Sequence, residues 1–147
     1  LLDGIAVIDH GSTDGTSEIL AALAAERLPI FVTPDANPRF RQKAMINSLV
    51  RHAVMTTDVD WIFVIDADEF IVARSRAGLE ATLRELPSDR HSSLAWPTRV
   101  PESFDASVPL AERLDRTRRV VNPGHRHAKM ALPRQVLLRS GIEIGAG

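Results

Sequence analysis

Cysteine is missing from this 147-residue chain, which removes disulfides and thiolate metal sites. Any metal must rest on carboxylates, carbonyls, water or the five histidines, a ligand set that suits a hard divalent cation such as Mg or Mn. An excess of either charge is missing too. The 18 Lys and Arg residues nearly balance 19 Asp and Glu, for a formal net charge of -1 and a pI near 6.6. That balance argues against a partner such as nucleic acid that is gripped by bulk charge. The sequence holds no apolar run of membrane-spanning length, no signal peptide, no internal repeat, no low-complexity tract and no domain linker. What remains is ordinary globular composition, 44% hydrophobic and 25% charged, and the expectation is one domain over residues 1–147. The chain opens on Leu1-Leu2 without a methionine and stops at Gly145-Ala146-Gly147, which reads as an excerpt of a longer protein, truncated at both ends. The expected location is the cytoplasm, with any membrane association supplied by parts of that longer parent.

The stretch around which the chain is organised is Trp61-Ile62-Phe63-Val64-Ile65 followed by Asp66-Ala67-Asp68-Glu69-Phe70. The five apolar residues, β-branched and aromatic, predict a buried strand, most simply a central strand of a parallel sheet. Three carboxylates within four positions then crowd its carboxyl end. Asp66 and Asp68 point the same way if extended geometry persists. Anions so closely spaced are costly unless a cation sits between them, so the cluster asks for a metal, with Asp66 and Asp68 as ligands. An acidic turn kept for solubility is the plainer reading, but the apolar strand before it and a second acidic loop at another strand end weigh against that.

That second loop is Asp9-His10-Gly11-Ser12-Thr13-Asp14-Gly15-Thr16, directly after the apolar run Ile5 to Ile8. A strand entering a glycine-bearing turn is expected here, then a helix capped by Thr13 or Ser17 with Ile19, Leu20, Leu23 and Leu28 as its stripe. At the strand end, Asp9 is suited to accept hydrogen bonds from a nucleobase or ribose, with Ser12 assisting, while His10 reads as a solvent-facing loop residue. A strand at 30–32 and a helix from Phe40 through about residue 56 complete a strand, helix, strand, helix, strand series. This is an α/β pattern in which ligands sit beyond the carboxyl ends of strands. Asp9 and Asp66 should therefore open on one crevice.

Arg39, Arg41 and Lys43 fall at the start of the second helix, with Asn47 one turn on. They are either a solvated face or a contact to base or phosphate, for which Arg41 and Lys43 are the candidates. Further on, a helix is expected over 78–86, a strand at 93–96, and two short strands at 130–132 and 136–138. The span 101–124 has poor periodicity. The stretch 111–140 is locally basic, and His125, His127 and Lys129 alternate, so on a strand they share a face and offer a metal or diphosphate contact.

The loop Ile8-Asp9-His10-Gly11-Ser12-Thr13-Asp14-Gly15-Thr16 resembles the DDGSTDGT signature of family 2 glycosyltransferases, with His10 in place of the second Asp. The segment Asp60 to Phe70 is similar to the D-W-x(4)-D-A-D-E-F form of their D-x-D motif. The resemblance covers about residues 3–72. It implies a GT-A fold, a Rossmann-like and mostly parallel sheet flanked by helices. Residues 1–72 would form the half that binds the nucleotide sugar and 73–147 the acceptor side. It also implies a nucleotide-diphosphate sugar donor, a saccharide or other hydroxyl acceptor, and a Mn or Mg ion bridging the D-x-D loop to the diphosphate. Carried over, Asp9 contacts the base, Asp66 the ribose or metal, and Asp68 the metal. Inversion would need a carboxylate base, for which Glu102 and Asp105 are candidates and Glu69 a weaker third.

In a GT-A sheet a first strand lies between the strands carrying Asp9 and Asp66, and this chain begins too close to Ile5 to supply it. An open slot would part those two strands by about two spacings, on the order of 9–10 Å. The expectation is either an upstream segment outside this chain or a rearranged sheet. Two further readings compete: a haloacid dehalogenase-type phosphatase, which also places D-x-D after an apolar strand, and a non-catalytic fragment that binds a nucleotide sugar without transfer.

Overall fold

The computed structural model describes residues 2–37, 39, 41–95, 97, 99–101, 105–119 and 128–140. The apolar run Ile5–Asp9 forms β1, which leads through the glycine-bearing loop into α1 (Thr16–Ala25). Next come β2 (Ile30–Pro34), α2 (Gln42–Thr56) and β3 (Trp61–Phe63). The later elements are α3 (Arg76–Glu85), β4 (Ser92–Ala95), β5 (Arg99–Pro101), α4 (Leu110–Asp115), β6 (Thr117–Arg119), β7 (Ala128–Pro133) and α5 (Arg134–Ser140).

The strand and helix series through β3 follows the sequence, but the sheet does not. β1 pairs with β2 in parallel, Ile5 opposite Ile30 through Asp9 opposite Pro34. β3 and β4 both pair antiparallel with β7, giving the order β3-β7-β4, and β5 pairs antiparallel with β6. The mostly parallel sheet is therefore replaced by a small parallel pair and antiparallel sheets. β1 and β3 share no sheet. With no strand between them among the described residues, the backbone groups of β3 are met by β7 instead, since an unpaired edge leaves donors and acceptors unsatisfied. For the same reason Trp61–Phe63 is an edge of its sheet, and residues 61–65 are half-buried rather than central.

Helix α2 links the β1-β2 pair to the β3-β7-β4 sheet. It packs on β1 and on α5. Its Val50 and Val54 enclose, with Leu132 of β7 and Leu137 of α5, the main buried cluster, to which Ile46, Ile62, Val64 and Met130 are added. Helix α1 packs on β2 but buries no residue. Within its expected stripe Leu20 and Leu23 are half-buried, and Ile19 and Leu28 are exposed.

Three local expectations are corrected. Helix α1 begins behind Gly15 in the left-handed region (φ 86°) with no side-chain cap, so neither Thr13 nor Ser17 caps it. Asp14 Oδ1 instead accepts from the Thr16 amide at 3.2 Å and hydroxyl at 2.7 Å. Helix α3 starts earlier than expected because Ser75 Oγ accepts from the Gly78 amide at 3.1 Å. Residues 136–138 are helical rather than extended. Pro133 and Leu137, both buried and four apart, follow helical spacing, and the Arg134 amide donates to the Asp60 carbonyl at 2.9 Å, turning the chain out of β7.

Candidate functional site

Asp9 ends β1 and is the buried charged residue among those described, 8% exposed. Its Oδ1 accepts from the Ser12 amide at 3.1 Å, and its Oδ2 accepts from the Ser17 hydroxyl. The Ser12 side chain and the Ser17 hydroxyl, with the Ser12 amide, hold the Asp9 carboxyl below its ordinary range. Gly11 and Gly15 both have positive φ (70° and 86°), and a turn that wraps its own strand-end carboxylate needs residues free to adopt that region. Ser17 is a partner that sequence reasoning missed. Its place eight residues on, in the first turn of α1, is what lets it reach back. His10 is half-buried rather than solvent-facing.

A ladder of bonds runs from Asp9 to the start of α2. The Asp35 amide donates to the Asp9 carbonyl at 2.8 Å. The Asn37 amide donates to Asp35 Oδ1, and the Arg39 amide to Asn37 Oδ1, each at 2.9 Å. The ladder delivers the chain to Arg41, which precedes α2 without a side-chain cap and with no acidic residue in the first turn. Arg41, Gln42, Lys43, Ala44 and Asn47 line an open hollow of about 480 Å³. The exposed cations Arg41 and Lys43 thus stand at the positive end of a 15-residue helix, where amides and side chains together favour an anion.

The acidic loop follows β3. The Glu69 amide donates to the Asp66 carbonyl at 3.0 Å, and Glu69 Oε2 accepts from the Asp66 amide at 2.7 Å, so the turn is closed from both ends. Lys129 of β7 then reaches in, its Nζ 2.9 Å from Asp66 Oδ2 and 2.8 Å from Glu69 Oε2. The register explains the meeting: with Phe63 opposite Ala131, the chain leaving β3 runs toward the Lys129 end of the antiparallel β7. Burial would lower the Lys129 pKa, but the bonds to Glu69 and Asp66 outweigh it and leave the ammonium above its ordinary value. Asp66 and Asp68 are exposed, and Glu69 is half-buried.

Among the described residues, no group of three or more acidic or histidine side chains is gathered to hold a metal. The donor chemistry still fits a hard divalent ion, because Mg is ordinarily held by one or two carboxylates with substrate phosphates and water completing the shell. Asp68 is available for that, with no hydrogen bond or ion pair found for it among the described residues. Asp66 is shared with Lys129.

The remaining candidates are scattered. Asp105 is exposed and closes its own turn, accepting from the Ser107 amide at 2.9 Å and hydroxyl at 2.7 Å. Those bonds, the side-chain one first, hold its carboxyl low. Glu102, His125 and His127 lie outside the described residues. The structure thus ties Asp9 and Ser12 to the start of α2, and ties Asp66 and Glu69 to Lys129. Among the described residues Asp9 and Asp66 share no bonding partner, and their loops close different sheets. Glu69 and Lys129 form a pair that the sequence did not reveal. The signal was present only as an excess of carboxylates in the turn and a lysine far downstream.

Comparison with known proteins bears on the segment holding both loops. The model of the family described as "Glycosyl transferase family 2" matches residues 2–91. Neither a curated protein nor a solved structure matches the chain significantly.

Proposed function

The chain belongs to glycosyl transferase family 2, and we propose that it takes a sugar from a nucleotide-diphosphate donor and passes it, with inversion, to an acceptor hydroxyl. One observation carries the reading. Two carboxylate loops close at the carboxyl ends of β1 and β3, one pre-organised around Asp9 and the other leaving Asp68 open to solvent, and the family match spans both.

In this reading Asp9 and Ser12 hold the base or ribose, and Arg41 and Lys43 meet the diphosphate at the start of α2. Asp66 contacts ribose or metal, and Asp68 the metal. A bound Mn or Mg ion would supply Lewis-acid stabilisation of the charge that develops on the leaving diphosphate. The acceptor oxygen bonds to the anomeric carbon as the bond to the diphosphate breaks. The electron pair leaves on the diphosphate, and the acceptor proton passes to a carboxylate base. Asp105 and Glu102 are the proposed bases. Hydrogen bonds hold the Asp105 carboxyl low, which weakens it as a proton acceptor near neutral pH.

Calorimetry with UDP and GDP, each with Mn, tests the reading. Asp68→Ala should abolish Mn-dependent binding, since loss of a metal-bound carboxylate typically lowers affinity on the order of tenfold or more. Unchanged binding would remove Asp68 from the site.

A further inference from the structure

The carboxylates of the 66–69 turn already hold a cation belonging to the chain itself. Lys129 Nζ bridges Asp66 Oδ2 and Glu69 Oε2 at 2.9 and 2.8 Å. The side chains of Lys129 and Glu69 are 25% and 17% exposed, so water and salt screen that arm less than a surface pair, whereas Asp66, 57% exposed, is the arm open to exchange. The position of Lys129 is fixed by strand pairing, with β3 and β4 hydrogen-bonded to either side of β7. Asp68 has no such partner among the described residues. The charge in the turn is therefore divided: two carboxylates share one ammonium, and the third faces solvent.

We propose that Lys129 competes with a divalent cation for Asp66, so that loading the turn requires the ammonium to leave Asp66 Oδ2. The proposal rests on the reading of Asp66 and Asp68 as the cation loop of the donor site. Both cations would be drawn to the one Asp66 carboxylate, and two positive centres within a few ångströms in a partly screened site repel one another. Asp66 must exchange its ammonium before it can join Asp68 around an ion. A Lys129 that merely braced the turn would act with the opposite sign, because its removal would loosen the ligands and weaken the ion's binding.

Titration of the whole chain with Mn²⁺ alone, following unbound ion by electron paramagnetic resonance, separates the two. Lys129→Met keeps the apolar stem and removes the charge, and it should bind Mn²⁺ about five- to tenfold tighter than the parent. Lys129→Arg, which retains the charge, should stay near the parent value. Equal or weaker binding by Lys129→Met overturns the competition. Asp68→Asn, introduced into the parent and into Lys129→Met, should weaken Mn²⁺ binding in both. If it leaves both unchanged, the ion is not at this turn, and the metal reading and the competition fall together. If binding depends on Asp68 but gains nothing from Lys129→Met, the competition alone falls. Should Lys129→Met fail to fold, the parent protein still decides. Its Lys129 Cε resonance should shift as Mg²⁺ is added, following the binding isotherm, and a resonance that stays fixed through saturation overturns the proposal.

Discussion

Asp9 commits both carboxylate oxygens to its own loop, through the Ser12 amide and the Ser17 hydroxyl. These bonds favour the ionised form and lower its pKa in the folded chain. A depressed carboxylate means that the unfolded chain binds more protons in the acid range. The stability it contributes is complete above the ordinary value of about 4 and is lost as pH falls through the folded value. Asp14 and Asp105, lowered by bonds from Thr16 and Ser107, act in the same sense. Urea midpoints measured from pH 6 downward should therefore fall steeply below about pH 4, and Asp9→Asn should flatten that limb. An Asp9→Asn limb as steep as the parent's would show that Asp9 does not contribute. At this scale the sequence was informative wherever chemistry is local. Asp9 ends β1, and Asp66 and Asp68 follow shortly after β3, because apolar runs stop there. The ammonium beside Asp66 was not legible, since its residue lies 63 positions away and arrives only through the pairing of β3 with β7.

Helix starts show how small differences decide an element. Two hydroxyl residues looked able to cap α1, yet Gly15 in the left-handed region opens it, because Ser17 is drawn to Asp9 and Asp14 takes the Thr16 amide. Nothing stands within 4 Å of a Cβ placed on Gly15, so the cost of a side chain there is purely conformational. Gly15→Ala should destabilise the chain by about 1–2 kcal/mol. The check is the shift in urea midpoint, and a neutral result would mean that the loop relaxes to another conformation. The run Val136-Leu137-Leu138 is a similar case. Three apolar residues in a row carry no period of their own, and both helix and strand suit them. The helix is selected by its surroundings, through the Arg134 guanidinium on the Val54 carbonyl at 3.2 and 3.1 Å and the burial of Leu137 against α2.

Across the whole molecule, α2 is the element that joins the β1-β2 pair to the β3-β7-β4 sheet. It packs on β1 at one side and on the β7 and α5 cluster at the other, so the two carboxylate loops are related through one helix rather than through a continuous sheet. Leu137 is 3% exposed in that cluster, and Leu137→Ala should cost about 2–4 kcal/mol, read from chemical denaturation. Because Val54 shares the cluster, Val54→Ala and Leu137→Ala together should depart from additivity. Strictly additive losses would mean that the two do not pack as a unit. The order of strands and helices up to β3 was legible because alternating apolar runs and turns are local signals. The arrangement of the sheets was not, since pairing partners depend on which edges are left unfilled.

The sequence by itself determined the order of elements in the first half, the acidic turns after two apolar runs, and the absence of thiolates. The first two are fixed by the order of side chains over a few residues. Only the tertiary structure decided that β3 turns to β7 instead of lying beside β1, and that the first cation to meet Asp66 is Lys129. Both follow from strand register, which joins residues far apart in the chain and sets which charges face one another.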